Sequence, residues 1–166
     1  LASSASEITA STAQVAASQV RFVDDGNEVA PSFDVTASDG TDSSNTFSAV
    51  VTYTPVNDAP VITSATLAVS EGGTTVLAPA NLGITDPDSA SFTYTVSNVS
   101  GGSFEVFDGT SWNAATSFTT ANVAGGAVRF VDDGNEVAPS FDVTASDGTD
   151  NSNTFSAVVT YTPVND

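Results

Sequence analysis

Apolar and polar residues alternate with a period of two along much of the chain, which is the spacing of a half-buried β-strand. In residues 32–38, Phe33, Val35 and Ala37 would face one side of a sheet while the polar residues between them face the other. An Asp-Gly turn pair follows, and the alternation resumes over residues 45–56. The pattern therefore predicts an antiparallel hairpin.

Further short segments show the same strand signal. They are residues 20–23, 61–63, 66–69, 74–77, 92–97 and 104–107. A helical turn is predicted only near residues 120–124, after a leading stretch at residues 1–19 that suggests a loop or a short helical turn. About seven short strands in residues 59–166 predict an all-β chain built as an immunoglobulin-like sandwich of two sheets.

The chain also contains a long internal repeat. Residues 20–58 return as residues 128–166 with a single difference, Ser43 against Asn151, at an offset of 128 − 20 = 108 residues. This offset is the size of a small all-β domain, so we predict β-sandwich repeats in tandem. Residues 59–166 would form a complete repeat and residues 1–58 the C-terminal part of another. We expect the missing front strands of that part to come from outside the chain or from a neighbouring copy.

The charge balance narrows the classes of partner. Two Arg, no Lys and 20 Asp plus Glu give a formal net charge of −18 at pH 7. Binding to a nucleic-acid backbone needs clustered cations, so no nucleic-acid partner is expected. Hydrophobic residues make up 40% of the chain and follow strand periodicity, which favours a folded protein over a disordered one. The acidity fits solubility and an affinity for cations.

The absent residue types limit the possible chemistry. The chain has no Cys and no His, so it has no disulfide, no thiol nucleophile and none of the usual zinc ligands. It also lacks the commonest general base. No apolar run approaches the roughly 20 residues that span a bilayer, so no membrane insertion is expected. Near-identical modules offer no unique catalytic cleft, and we therefore expect no enzyme activity.

Four motifs, in this order and spacing, carry a resemblance to a known family. They are Val56-Asn57-Asp58-Ala59-Pro60, Asp86-Pro87-Asp88-Ser89, the run FTTANVAGGAVRFVDDGNE over residues 118–136, and Ser146-Asp147-Gly148. The chain resembles the cadherin-like repeats of bacterial surface proteins, and in finer detail the chondroitin-sulfate-proteoglycan type of repeat. The resemblance covers residues 59–166 and the second half of the preceding unit. It implies an extracellular location at a bacterial cell surface.

The resemblance also implies calcium at the junctions between repeats. The implied ligands are Asn57 and Asp58 in the linker, Asp86 and Asp88 in the D-x-D loop, and Asp147 in a later loop. The preceding unit would add Asp25 and Glu28. The next junction would use Glu71, Asp133, Glu136, Asn165 and Asp166. The sequence Val-Asn-Asp-Ala-Pro offers fewer oxygen ligands than the fuller cadherin D-x-N-D-N linker, so we expect one or two ions per junction and not three.

Physical chemistry supports such a site but leaves a second interpretation open. Calcium takes six to eight oxygen ligands and requires neither His nor Cys, which suits this composition. The same Asp residues could instead end strands and cap turns without any metal. Similarly, Trp112 and Phe107 could form a stacking platform for a sugar, or could belong to the core or cap of the sandwich.

The leading hypothesis is a non-enzymatic extracellular adhesin or surface-fibre segment whose tandem sandwiches are stiffened by junctional calcium. Its partners would be neighbouring repeats of the same protein or other copies. One alternative is a self-assembling filament subunit that is completed by strands of a neighbouring copy. A second alternative, from another class, is a carbohydrate-binding module that recognises cell-surface glycans.

Overall fold

The computed structural model describes residues 8–26 and 28–165, which form two compact units. The first unit ends at Pro55 and the second begins at Val56. Strands in several sheets dominate, with short helices between them, so the predicted all-β fold is confirmed. The arrangement as repeats in tandem stays a prediction.

The first unit contains one helical turn and one hairpin. The helix α1 (Thr12–Ala16) begins at Ser11, whose side chain accepts a hydrogen bond from Gln14 N while Gln14 Oε1 accepts one from Ser11 N. This reciprocal capping stabilises a very short helix. The strands β1 (Asp34–Val35) and β2 (Phe47–Ser48) pair antiparallel. The helical turn and the hairpin expected from the sequence are therefore both present.

The prediction of a strand at residues 20–23 was wrong. These residues are described, and they form no strand. The identical sequence 108 residues later does form a strand, where a neighbouring strand lies on each side. A strand needs partners for its backbone hydrogen bonds, and the described residues of the first unit supply no neighbouring strand at this position.

The second unit holds the remaining elements in the described part of the chain. They are β3 (Val61–Ser70), β4 (Thr74–Val76), a 3₁₀ turn (Pro79–Asn81), β5 (Leu82–Thr85), β6 (Thr93–Ser100), β7 (Gly102–Phe107), β8 (Trp112–Ala114), β9 (Ser117–Thr119), α2 (Thr120–Ala124), β10 (Val128–Asp132), β11 (Ser140–Ser146), β12 (Phe155–Ser156) and β13 (Val158–Thr162). Two four-stranded antiparallel sheets have the orders β4-β10-β7-β8 and β12-β11-β6-β9. A third sheet has the order β13-β3-β5, and its strand β3 also lies against β4, β11 and β12.

One hydrophobic core connects the sheets. Phe104 of β7 lies edge-on to Phe130 of β10, with ring centroids 5.1 Å apart, and to Phe141 of β11, with centroids 4.8 Å apart. Phe118 of β9 lies 6.0 Å from Phe104. Because these rings come from both four-stranded sheets, their contacts hold the sandwich together.

The first and last strands of the second unit run in parallel. β13 pairs with β3 so that Val158 lies beside Thr66 and Thr162 beside Ser70. The chain therefore enters this unit at one end of β3 and leaves it at the other. The 10 residues of β3 separate these ends by about 33 Å. We call the end near Val61 the entry pole and the end near Ser70 the exit pole.

Two predicted strand boundaries differ from the structure. Residues 61–63 and 66–69 belong to one strand, which continues through a register shift between Ile62 and Ser64. In the second unit, the second strand of the repeated hairpin is divided into two. Its first part, β12, pairs with β11, whereas its second part, β13, leaves that sheet and pairs with β3. Periodicity cannot reveal this crossing, since both halves keep the same alternation.

A pair of matched substitutions tests whether burial, and not sequence context, determines stability. Phe130 is fully buried, whereas Phe22, its equivalent in the repeated segment, is 60% exposed. We expect Phe130→Ala to lower the unfolding free energy of the second unit by about 3–5 kcal/mol. Urea denaturation followed by fluorescence of Trp112, the single tryptophan, measures this unit. Phe22→Ala should leave that transition unchanged, and equal losses in the two variants would contradict the assignment of the core.

Candidate metal centre

The D-x-D loop begins directly after β5 and is held by Asp86. Asp86 Oδ1 accepts hydrogen bonds from Asp88 N at 3.0 Å and from Ser89 N at 2.7 Å. This is the local turn geometry that Asp favours after a strand. Asp86 Oδ2 is buried and has no hydrogen-bond partner. The turn therefore uses one carboxylate oxygen and leaves the other, which is shielded from water, without a donor.

The carboxyl groups of Asp86 and Asp88 shift each other's pKa in opposite directions. Close contact with the Asp88 carboxyl, together with the hydrogen bonds from the amides of Asp88 and Ser89, lowers the pKa of Asp86. The same contact raises the pKa of Asp88, against the effect of Asp58 N, which donates to Asp88 Oδ2 at 3.1 Å. The raised pKa of Asp88 means that its negative charge is unfavourable beside Asp86. A cation at this position would relieve the same repulsion.

Asp147 approaches the pair from the loop that follows β11. Its Oδ1 accepts hydrogen bonds from Thr149 N at 2.7 Å and Asp150 N at 2.8 Å. These amides, Asp150 first, lower the pKa of Asp147, and the side chain of Asn57 lowers it further. Asp147 therefore stays ionised at neutral pH.

The linker before β3 folds onto this loop. Asn57 Nδ2 donates to Asp147 Oδ2 at 3.0 Å and to Asp150 Oδ2 at 2.9 Å. Together with the bond from Asp58 N to Asp88, these contacts attach the linker to both acidic loops. The predicted residues Asn57, Asp58, Asp86, Asp88 and Asp147 are thus brought together at the entry pole.

The arrangement fits a hard divalent cation. Asp86, Asp88 and Asp147 each offer one carboxylate oxygen, and these oxygens lie within 4.8 Å of one another. Calcium binds oxygens at about 2.3–2.6 Å, so two oxygens that bind the same ion lie at most about 5 Å apart. The buried, unpartnered Asp86 Oδ2 is the type of oxygen that a metal would satisfy. Asp58 and Asp150 lie beside the cluster and could complete the oxygen set.

Sequence reasoning missed Asp150. It is the last residue of Ser-Asp-Gly-Thr-Asp, and from this motif the sequence analysis selected only Asp147. The structure links Asp150 to the linker through Asn57. The signal that could have identified it is its position three residues after Asp147. Residues at this spacing lie at the two ends of one tight turn and are therefore close together.

A second acidic group lies at the exit pole, around Asp132. This residue ends β10 and is only 5% exposed. Its Oδ1 accepts hydrogen bonds from Gly72 N at 2.8 Å and Gly134 N at 3.0 Å. Both glycines have positive φ, 63° and 76°, which turns their amides toward the carboxylate without steric cost. Asp132 Oδ2 is buried without a hydrogen-bond partner.

Glu71 and Tyr161 belong to the same pole. Glu71 N donates to Thr162 O, and Glu71 Oε2 accepts from Val164 N at 2.8 Å, so this glutamate holds the departing chain. Burial raises the pKa of Tyr161, and Glu71 and Asp132 are the next largest causes. The exit pole therefore has a strongly negative potential.

The other predicted residues have different surroundings. Asp133 is exposed and accepts from Asn135 N as part of a turn, while its neighbour Asp132 is the buried carboxylate that the sequence interpretation overlooked. Glu136 is exposed but adds to the negative field at Tyr161. Asn165 is exposed, and Asp166 lies outside the described residues. Asp25 and Glu28 belong to the first unit, so their role as ligands stays a prediction.

The aromatic pair considered for sugar stacking is already covered on one side. Trp112 and Phe107 face each other across β8 and β7, with centroids 5.3 Å apart. The Arg129 guanidinium lies 4.2 Å from the centre of the Trp112 ring and forms an ion pair of 2.6 Å with Glu105. Its cation–π contact occupies one of the two faces of the indole ring.

The immediate surface beside the cluster is a shallow, open depression, lined by Asp58, Ala59, Val61, Thr85, Asp86 and Pro87. Such a surface suits an ion or another protein chain better than an enclosed small molecule. Among the described residues, no helix is long and apolar enough to cross a bilayer.

Comparison with known proteins identifies the type of domain. A family model described as cadherin-like matches residues 60–161. This range contains most of the second unit and more than half of the chain. A comparison with curated proteins gave no significant match.

Two substitutions with opposite expected signs test the charge arrangement in metal-free protein. The folded-state pKa of Asp88 is raised, so its contribution to stability is present at low pH and is lost as pH rises through that pKa. Asp88→Asn should therefore raise the melting temperature of chelator-treated protein at pH 7. The gain should shrink as pH falls through that pKa, because wild-type Asp88 then becomes neutral too.

Asp108→Asn is the matched control. Asp108 accepts from Thr110 N and Ser111 N in an exposed turn, and these amides lower its pKa. Its stabilising contribution is present above its unfolded pKa and is lost as pH falls, so this variant should melt at a lower temperature at pH 7. A lower melting temperature for both variants would contradict the repulsion between Asp86 and Asp88.

Proposed function

The chain belongs to the cadherin-like family, and we propose that it is a segment of an extracellular surface protein in which calcium at the domain poles stiffens an array of repeats. Cadherin-like domains serve adhesive or structural roles, and the family is a non-enzymatic one. The proposal adds calcium, the tandem arrangement and the mechanical role to that assignment. It places the protein at a bacterial cell surface, where the array would carry adhesion or form a fibre.

The observation that carries the proposal is the carboxylate cluster at the entry pole together with the linker that folds onto it. Three carboxylates from two loops converge, and one of their oxygens is buried without a donor. Asp58 and Asn57 hydrogen-bond to the same loops. A cation bound here would neutralise the cluster and would restrain the linker that leads into the domain.

Restraint of the linker provides a physical mechanism for stiffening. Without a cation, repulsion among Asp86, Asp88 and Asp147 favours separation of the loops to which the linker is attached. With a cation, the loops and the linker share one centre, and the direction in which the chain enters the domain becomes defined. The domain's own residues then perform a mechanical task and not a chemical one.

The exit pole is suited to continue the same arrangement. The parallel pairing of β13 with β3 directs the chain out at the pole that carries Glu71 and Asp132. Glu71 already binds the departing backbone at Val164 N. A following repeat would therefore meet a negative surface that, like the entry pole, contains a buried carboxylate oxygen without a donor.

Two alternative functions use other parts of the chain. The filament alternative requires a neighbouring copy to supply the strands that complete the first unit. The glycan-binding alternative would rely on Trp112, but Arg129 covers one face of that ring. Neither alternative accounts for the carboxylate cluster and its attached linker.

Calcium removal is the direct test. We expect saturating calcium to raise the melting temperature of the Trp112 transition relative to chelator-treated protein. The increase should be on the order of 10 °C when free calcium is about 100-fold above its dissociation constant. The absence of any calcium-dependent change would overturn the proposal.

Asp147→Asn and Asp39→Asn locate the site. Both residues lie in the same Ser-Asp-Gly-Thr-Asp sequence, and each accepts from the amides two and three residues later. Only Asp147 lies beside Asp86 and Asp88. Calorimetric titration should show at least about 10-fold weaker calcium binding for Asp147→Asn and unchanged binding for Asp39→Asn. Equal effects would assign the calcium to another part of the chain.

The double variant Asp25→Asn/Glu28→Gln tests whether the preceding unit contributes ligands. If the ion joins two repeats, calcium affinity should fall by about 10-fold or more because two charged ligands are lost. Asp34→Asn, a substitution of a carboxylate in the same unit that accepts from Ser48 Oγ, is the control. Unchanged affinity in the double variant would restrict the site to the second unit.

A further inference from the structure

The first unit exposes an apolar face that is buried in the second unit. Phe33 is 46% exposed whereas its equivalent Phe141 is 3% exposed, and Val35 is 48% exposed whereas its equivalent Val143 is fully buried. Phe22 shows the same contrast with Phe130. Since the sequences are identical at these positions, the difference comes from the surroundings.

The local structure of this face is the same in both units. The hairpin pairs Asp34 with Ser48 and Val35 with Phe47, which is the register of β11 and β12 after the offset of 108 residues. Phe22 and Phe33 stack at 6.0 Å and 20°, close to the 6.5 Å and 25° of their equivalents Phe130 and Phe141. The described part of the first unit therefore has the same local geometry as its equivalent, but its residues do not cover this apolar face.

The second unit shows what covers this face. β7 pairs with β10 and places Phe104 against Phe130 and Phe141, while β6 pairs with β11 and aligns Val96 with Val143. All of these covering strands lie within residues 60–119, which we call the front segment. We call the residues that it covers, 120–165, a back segment. The equivalent residues 12–57 of the first unit form a second back segment.

We propose that the apolar face of the first unit, formed by Phe22, Phe33, Val35 and Phe47, is a binding surface for a cadherin-like front segment that is not already closed by its own back segment. The bound segment would add strands on both sides of residues 20–24 and would place alternate apolar side chains on the exposed rings. This inference concerns the hydrophobic face alone and does not depend on calcium.

Further copies of these 166 residues cannot by themselves supply the front segment that this face would bind. Each copy contains one front segment and two back segments, and its front segment is already packed against residues 120–165. A copy that gave its front segment to a neighbour would expose its own Phe130 and Phe141. Every exchange therefore opens one face for each face that it closes. The occupant must bring a front segment of its own.

The test adds such a segment to the full chain. A copy of residues 59–108 placed directly before Leu1 restores the spacing found in the second unit, because residue 109 is the equivalent of residue 1. We expect amide hydrogen exchange at residues 33–35 and 47–49 to slow by at least about 10-fold relative to the unextended chain. Binding of the dye anilinonaphthalene sulfonate to the exposed rings should fall several-fold at the same time.

A matched control carries Phe104→Asp and Tyr94→Asp in the added copy only. Its exchange and dye binding should resemble those of the unextended chain, because a charged front segment cannot cover the rings. An intact extension that leaves exchange and dye binding unchanged would overturn the proposal. Equal protection by the intact and the charged extensions would overturn it as well.

The unextended chain provides the third arm. We expect its dye binding and its exchange at residues 33–49 to be independent of protein concentration. If instead sedimentation shows a stable oligomer in which these residues are protected, a further copy is the occupant and the proposed source is wrong.

Discussion

The contact of Phe104 with Phe130 and Phe141 is the interaction on which the second unit depends. These rings join the two four-stranded sheets, and they do so between residues that are distant in sequence. Neither sheet can bury its apolar face alone, so the sandwich forms only when the front and back segments meet. The first unit shows the consequence, because it has the same aromatic pair without that partner and leaves it open to solvent.

The sandwich also determines how the negative charge is distributed. One group of acidic residues lies at each of the two poles, and the core contains apolar side chains. At each pole one carboxylate, Asp86 or Asp132, uses one oxygen to hold backbone amides and keeps a second oxygen buried without a donor. The parallel pairing of β3 and β13 places these poles at opposite ends of the domain. A chain of such domains would therefore present acid against acid at every junction, which is the physical basis for expecting a divalent cation there.

Much of the entry pole could be predicted from sequence, because its residues lie in short motifs whose turns are locally determined. Asp86 and Asp147 each bind amides two or three residues ahead, and such turns form from local sequence alone. Asp150 was missed because its role depends on Asn57, which is 93 residues away. Asp132 was missed for a similar reason, since in an alternating strand it resembles a solvated residue until Gly72 and Gly134 close around it.

The repeated segment separates local from tertiary determination directly. The sequence by itself determined the all-β class, the hairpin and its register, the capped helical turns and the Asp-Gly turns, because the first unit forms the hairpin, its turn and a capped helix without a complete sandwich. The tertiary structure decided whether residues 20–24 or residues 128–132 become a strand, which rings are buried, and which carboxylates meet. Hydrogen bonds within a turn join residues a few positions apart, whereas a central strand and its buried rings need partners that only the distant front segment provides.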